Sequence, residues 1–250
     1  HMVGKDILRF HAVYWPAFLM AAGLELPKRI YAHGWWTNEG EKISKSLGNV
    51  IDPVSLVKKY GLDQVRYFLM REVPFGNDGD FSHNSIINRI NGDLANDFGN
   101  LAQRVLSMIQ KNCSGKTPEP EERFTQDDQK IFELNYSLYN KVSDYIDKQA
   151  FNEALECIWY IIRSANIYVD KQAPWALKKT NSTRMKTVLY VLAETLRHLA
   201  LILQPFMPDS SSKLLDQLSI RSSERMFTYL GKKHSLKPGV SLQKPEGIFP

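Results

Sequence analysis

The chain has 250 residues, 43% of them hydrophobic, with a formal net charge of +5 and a pI near 9.0. That is ample for one or two packed domains, and the positive excess is mild. No apolar run is long enough to span a membrane, no repeat period appears, and Cys113 and Cys157 are too few and too far apart for a zinc site.

In chain order, Gly4-Lys5-Asp6-Ile7 reads as a turn that opens a helix carrying Phe10, His11, Tyr14, Trp15 and Phe18. Phe10, Tyr14 and Phe18 fall in i, i+4 register, and Phe18 is expected in a core. Residues 30–37 read as a strand, Asn38 to Glu41 as a tight turn, and Lys42 to Ser44 as the return. The segment Lys42-Ile43-Ser44-Lys45-Ser46, followed by Leu47-Gly48-Asn49, therefore leaves a sheet edge. Two ammonium groups three residues apart, with the Ser44 and Ser46 hydroxyls and a bend at Gly48, suit a polyphosphate, because Lys is a mobile point charge. A solvated surface loop is the other reading of the same residues. Asp52-Pro53 then gives a helix start, Tyr60-Gly61 a stop, and Asp63 a second start before Val65, Phe68 and Leu69.

From residue 84 the pattern is helical. Ile87, Ile90, Leu94, Phe98, Leu101, Val105 and Met108 recur at steps of three and four, which predicts one helix over 84–111 with a buried face. The stretch 114–120 breaks it. The acidic run that follows is expected to cap a second helix with Ile131, Leu134, Leu138, Val142 and Tyr145. A third carries Leu155, Ile158, Ile162, Ala165 and Val169, with Trp159 in its core, and ends at Pro174. A fourth carries Leu189, Leu192, Leu196, Leu199 and Leu203 before Pro205 and Pro208. Long amphipathic helices on short connections predict an antiparallel bundle.

Beside the apolar stripe of the first bundle helix lie Asn96, Asn100 and Arg104, at i, i+4 and i+8. They are either a solvated flank or a recognition surface. Gln172-Ala173-Pro174-Trp175 puts an aromatic just past a Pro break, as a stacking platform or as a seal on the bundle end. Amide, guanidinium and an exposed ring together can read an unstacked base by its edge and face.

The Lys42–Ser46 loop resembles the Lys-Met-Ser-Lys-Ser loop of class I aminoacyl-tRNA synthetases, with Ile43 in place of Met. The Gly4–Ile7 turn with Phe10-His11, and the Asn100-Leu101-Ala102-x-Arg104 and Gln172–Trp175 segments, resemble the methionyl members. The leucine, valine and cysteine members share the Lys loop and a helical bundle but not these features. The resemblance implies activation of methionine by ATP with Mg²⁺ and transfer to the 3′ end of tRNA(Met). On that reading Lys45, Lys42, Ser44 and Ser46 act on the phosphates. Gly4, Asp6, His33 and Trp36 border the adenosine, with strand-end packing an equal account of His33 and Trp36. Ile7 and His11 wall the methionine side chain. Trp175 stacks on the first anticodon base, Asn100 and Arg104 bond its edge, and Asn96 contacts a neighbour.

The implied fold is α+β and mostly α, a remnant of a Rossmann-like domain followed by an antiparallel helical bundle. Residues 1–82 would be the end of a Rossmann-like catalytic domain with its stem-contact region, and 83–220 an anticodon-binding bundle. Residues 221–250 carry six basic side chains against Glu224 and Glu246 and are expected to pack back on the catalytic side. The chain has no His-Ile-Gly-His-like motif and His1-Met2 reads as an added leader, so it is expected to be the later part of a longer protein, inactive alone and without structural zinc. The alternative of another class is a non-catalytic RNA-binding module. Reduced thiols fit a bacterial cytoplasm or a mitochondrial matrix, and a monomer with no membrane partner is expected.

Overall fold

The computed structural model describes residues 1–44, 46 and 48–249, so the role expected of Lys45 falls outside the described residues. Strands β1 (Met2–Gly4) and β2 (Tyr31–His33) pair in parallel with Gly4 opposite His33. Their crossover begins with a tight turn at Lys5–Ile7, widens to a π-helical turn over Phe10–Tyr14, and ends in α1 (Trp15–Ala21). Phe10 and Tyr14 still meet edge to face, with centroids 5.7 Å apart. Phe18, expected in a core, is instead 72% exposed, because no described residue packs across from that side of the helix.

The single strand expected over residues 30–37 is two. Gly34 separates β2 from β3 (Trp36–Asn38), which belongs to another sheet. A Cβ at Gly34 would collide with the Asn77 carbonyl, so only glycine lets the two segments approach. β3 turns into β4 (Glu41–Lys42) through Glu39 and Gly40, whose φ values of 52° and 81° match the twist of a tight hairpin. β5 (Gly79–Phe81) pairs in parallel with the other side of β3 and leaves β4 at the edge. Asp80 accepts from the Thr37 hydroxyl and the Gly40 amide, which hold its carboxyl below the usual range.

Asp52 starts α2 (Pro53–Tyr60) by accepting from the Val54 and Ser55 amides at 3.2 and 3.0 Å. Gly61, at φ 96°, ends it and opens α3 (Leu62–Arg71). Asp63, expected to cap that second helix, lies inside it and is buried. Helix α4 (His83–Arg89), a π-helical stretch over Ile90–Gly99, and α5 (Asn100–Asn112) continue one another as a single rod. Leu94, Phe98, Leu101 and Val105 are buried as the periodicity predicts, but Ile87 is 40% exposed. Its neighbour Ile86 is buried instead, in a small core with Leu56, Val65, Phe68 and Phe81. The wider π turns shift the phase between the two ends, which therefore serve different cores.

Helices α6 (Gln126–Asp147), α7 (Phe151–Gln172), α8 (Pro174–Thr180), α9 (Ser182–Leu203) and α10 (Pro208–Gln217) complete the bundle. Helix α6 is capped by Thr125 and Asp128 in a reciprocal box, so the acidic capping expected of this stretch comes from Asp128 acting with a threonine. Every residue of α9 from Thr187 to Leu203 is buried, so α9 is the axis of the bundle and its polar side chains must find partners. At one end Arg184 grips Asp128 at 2.6 and 2.8 Å while Tyr168 donates to the same carboxylate at 2.5 Å. Burial opposes ionisation of Asp128, yet these donors hold its carboxyl below the usual range. Breaking such a buried pair costs about 3–5 kcal/mol.

Further along α9, the Arg197 guanidinium donates twice to Glu194 and once to the Tyr229 carbonyl. Glu194 also accepts the Leu236 amide at 3.0 Å. The last 30 residues are therefore tied to the bundle, contrary to the packing on the catalytic side expected for them. Leu242 and Thr117 bond across to Gly115 and Val240, Gln217 exchanges two hydrogen bonds with Glu246, and Phe249 meets Phe98 at 6.1 Å.

His198, buried beside Glu194, Arg197 and the Tyr136 ring, bonds the Glu194 carbonyl through Nδ1 and accepts the Gly231 amide on Nε2. Those two bonds require the neutral ring with its proton on Nδ1. Burial pushes its pKa below 6.5. A depressed folded value adds stability that is present above the unfolded pKa and is lost as pH falls through the folded one. Thermal melts between pH 8 and 5 should show the native protein losing more stability below about pH 6.5 than a His198→Gln variant; parallel curves would mean that another group titrates.

Candidate functional site

The Asn49 side chain closes the base of the Lys loop. Asn49 accepts the Ser44 amide at 2.8 Å and donates to the Lys42 carbonyl at 3.1 Å, while its own carbonyl accepts from Asn38 at 2.9 Å. It thus closes the loop at its base and ties it to the β3–β4 hairpin. Lys42 and Ser46 are exposed, and the Ser44 and Ser46 hydroxyls share a hydrogen bond of 2.7 Å. The described part of the loop therefore presents one ammonium and two hydroxyls to solvent, a donor set that fits phosphate oxygens. Asn49 was missed as a functional candidate because its bonds depend on the folded loop.

Gly4, Asp6 and His33 converge at the ends of β1 and β2. The Asp6 carboxylate occupies the space where a Cβ on Gly4 would sit, and His33 lies 3.8 Å from the same point. Trp36 does not join them. It is partly buried against Phe68, with centroids 6.1 Å apart, because consecutive strand residues face opposite ways. Trp35 is the exposed indole, with the Lys5 ammonium 4.2 Å above its ring. Lys5 in turn pairs with Asp78, whose carboxyl is held below the usual range by Lys5 and the Trp35 amide. His11 lines an apolar cleft of about 680 Å³ with Phe10, Tyr14, Trp15 and Phe18. Its Nδ1 bonds the Ile7 carbonyl at 3.0 Å, which turns Nε2 outward as an acceptor. The Ile7 side chain does not line that cleft.

On the bundle the four expected residues fall into two adjacent pairs. Asn96 and Asn100 line a cleft of about 560 Å³ with Gly99, Gln103, Ile248 and Phe249. One turn further, the Arg104 guanidinium lies 5.6 Å from the centre of the Trp175 ring and donates to Asp170 at 2.6 Å. Trp175 is 49% exposed on the first turn of α8. Its place is set by Ala173, forced out of the right-handed helical region by the following proline and found at φ 43°. Gln172 bonds Asp127 and Arg184, anchoring the same turn. Asp170, Gln103 and the 248–249 segment had no signal in the sequence that set them apart from a solvated flank or a tail.

The β3–β4 hairpin leads into the Lys-Ile-Ser-Lys-Ser segment, and the small sheets join a helical bundle that carries Asn100, Arg104 and Trp175 at its surface, in keeping with the resemblance to class I aminoacyl-tRNA synthetases. The family model "tRNA synthetases class I (M)" matches residues 1–106, and "Anticodon binding domain of methionyl tRNA ligase" matches 115–250. Methionine–tRNA ligases of Mesorhizobium japonicum and Brucella suis are 52% and 54% identical over 250 residues, all of this chain and 48% of each relative. The solved methionyl-tRNA synthetase of Mycobacterium tuberculosis in complex with methionyl-adenylate superposes with a TM-score of 0.96 at 51% identity, over all of this chain and 49% of that one. The chain belongs to the methionyl-tRNA ligase family. It spans about half the length of the relatives it matches, and the matches set aside the leucine, valine and cysteine members.

Replacing Asn49 by Ala removes one acceptor and one donor at the loop base, each worth about 0.5–1.5 kcal/mol. Exchange of the Ser44 amide should quicken about tenfold while global stability changes little. Unchanged protection of that amide would show that Asn49 does not hold the loop.

Proposed function

We propose that this chain is part of a methionine–tRNA ligase that joins methionine to ATP as methionyl-adenylate and then transfers the aminoacyl group to the 3′ end of tRNA(Met). The methionine carboxylate attacks the α-phosphate and pyrophosphate leaves. Lys45, with Lys42 positioning the loop, stabilises the charge that develops on the phosphates, and Ser44 and Ser46 donate to their oxygens. Mg²⁺ would travel with ATP on the phosphate oxygens, since the ammonium and hydroxyl groups of the loop suit anions. Gly4, Asp6 and His33 border the adenosine, and His11 faces the methionine side chain with Ile7 holding its ring. The 250 residues contain no His-Ile-Gly-His-like motif, and this chain alone should not support methionine-dependent pyrophosphate exchange; exchange above background would overturn that. A monomer in a bacterial cytoplasm or mitochondrial matrix completes the reading. No helix among the described residues is long and apolar enough to cross a membrane.

The observation that carries the RNA half of the proposal is the Arg104 guanidinium beside the exposed Trp175 ring, next to Asn100. A cytosine stacked on Trp175 would place its edge within reach of the Arg104 fork and the Asn100 amide, with Asn96 beside the next base. Asp170 keeps Arg104 extended meanwhile. Stacking on an aromatic is worth about 1–3 kcal/mol per base, or about 5- to 150-fold in Kd.

Binding of a CAU anticodon stem-loop at fixed salt should weaken by that factor on Trp175→Ala, and also when the leading cytosine is replaced. Equal affinity in all arms would reduce Asn100, Arg104 and Trp175 to scaffold.

A further inference from the structure

Helix α3 meets the bundle at the corner where α9 ends and α10 begins. Residues 204–207 make that corner, so the carbonyl end of one helix and the amide end of the next lie side by side. Arg66 donates from Nε to the Phe206 carbonyl at 2.9 Å and from an Nη to the Pro205 carbonyl at 2.5 Å. Asp63, one turn earlier on the same face of α3, accepts the Ser210 amide at 2.6 Å. A cation at a carbonyl end and a carboxylate at an amide end are each in the favourable sense for the helix dipole they meet. Asp63 is 3% exposed, and with Oδ1 unpartnered among the described residues the Ser210 amide on Oδ2 is the hydrogen bond its buried carboxyl makes to them.

The same face continues the grip. The Tyr67 hydroxyl donates to Asp93 at 2.7 Å, its ring packs on Trp159 at 4.5 Å, and Arg71 pairs with Glu156. The opposite face of α3 places Val65 and Phe68 under the sheet whose edge strand leads into the Lys loop. Apolar side chains alone would bury this joint as well, since hydrophobic contact has no direction. A clamp on both ends of one corner does have direction: rotation about either contact breaks the other.

We infer that Asp63 and Arg66 are positioning residues for tRNA charging, which hold the base-reading face of the bundle at one angle to the Lys loop so that a bound tRNA reaches the reacting centre. The role in charging rests on the function proposed above. Neither residue is among those assigned to the loop, the adenosine, the methionine or the anticodon.

The test uses the intact protein that contains this chain, with Arg66→Ala and Asp63→Asn, singly and together. Charging of full-length tRNA should fall about tenfold or more in kcat/KM, since small misplacement of reacting groups is costly. CAU stem-loop binding and methionine-dependent pyrophosphate exchange should stay within about twofold, because each half keeps its own site. Spin labels at Lys58→Cys and Lys178→Cys, with Cys113 and Cys157 replaced by Ser, should report one narrow distance in the parent and a broadened distribution in the double variant. Unchanged charging with an unchanged distance distribution would overturn the inference, as would an equal fall in all three activities at unchanged helix content. Should the double variant lose helix signal, the single variants decide by the same criteria. If the parent binds the two stem-loops equally, the proposed anticodon reading fails, while the label distances still decide whether the corner is held.

Discussion

Helix α3 has two buried faces, and the arrangement of the molecule depends on that. Ten residues carry Val65 and Phe68 toward the sheet and Asp63, Arg66, Tyr67 and Arg71 toward the bundle. A helix of this length cannot bury two faces with apolar side chains alone and remain soluble before its partners arrive. Polar groups on one side solve this, because they are hydrated until specific carbonyls and amides replace water. The joint between the small sheet and the bundle is accordingly defined by hydrogen bonds, and its angle is more sharply set than packing alone would make it.

The bundle follows the same logic on α9, whose buried stretch carries Glu194, Arg197 and His198 among aliphatic residues. Each of the three bonds the 229–236 stretch, distant in sequence, while at the other end of α9 Arg184 is held by Asp128 of α6, to which Tyr168 of α7 also donates. Paired buried charges add little net stability compared with aliphatic packing, but an unpaired one is strongly disfavoured. The cost of any other arrangement is what places the C-terminal segment on the bundle, beside the cleft of Asn96 and Asn100.

Both candidate sites are surface features on rigid supports. Asn49 closes the base of the Lys loop through the Ser44 amide and the Lys42 carbonyl, and Lys42 and Ser46 stand exposed beside it. On the bundle, Trp175 is exposed where Pro174 stops the continuation of α7 and Ala173 takes a left-handed conformation. Arg104 is pre-oriented by Asp170 and rests beside the ring. A ligand that stacks on Trp175 therefore meets a donor that is already ordered, which lowers the entropic cost of binding.

Periodicity alone located every long helix of the bundle, since a 3.6-residue repeat is a local property that burial of one face imposes on the sequence. The cap at Asp52 and the helix break at Pro174 were legible for the same reason, as was the Lys42–Ser46 motif, which is written in consecutive residues. The sequence could not reveal the break of the expected strand at Gly34, which depends on Asn77 arriving from 43 positions away. It could not choose Trp35 over Trp36 for the exposed side, nor foresee the π-helical stretches that rotate Ile86 inward and Ile87 outward. Phe18 has a core residue's identity without a described partner. The pairing of Arg104 with Asp170, the Asn49 clasp and the corner held by Asp63 and Arg66 join residues that only tertiary packing brings together. Local pattern determines which segments are helices and which residues are candidates for the chemistry, whereas hydrogen-bond geometry between distant segments decides where each face points.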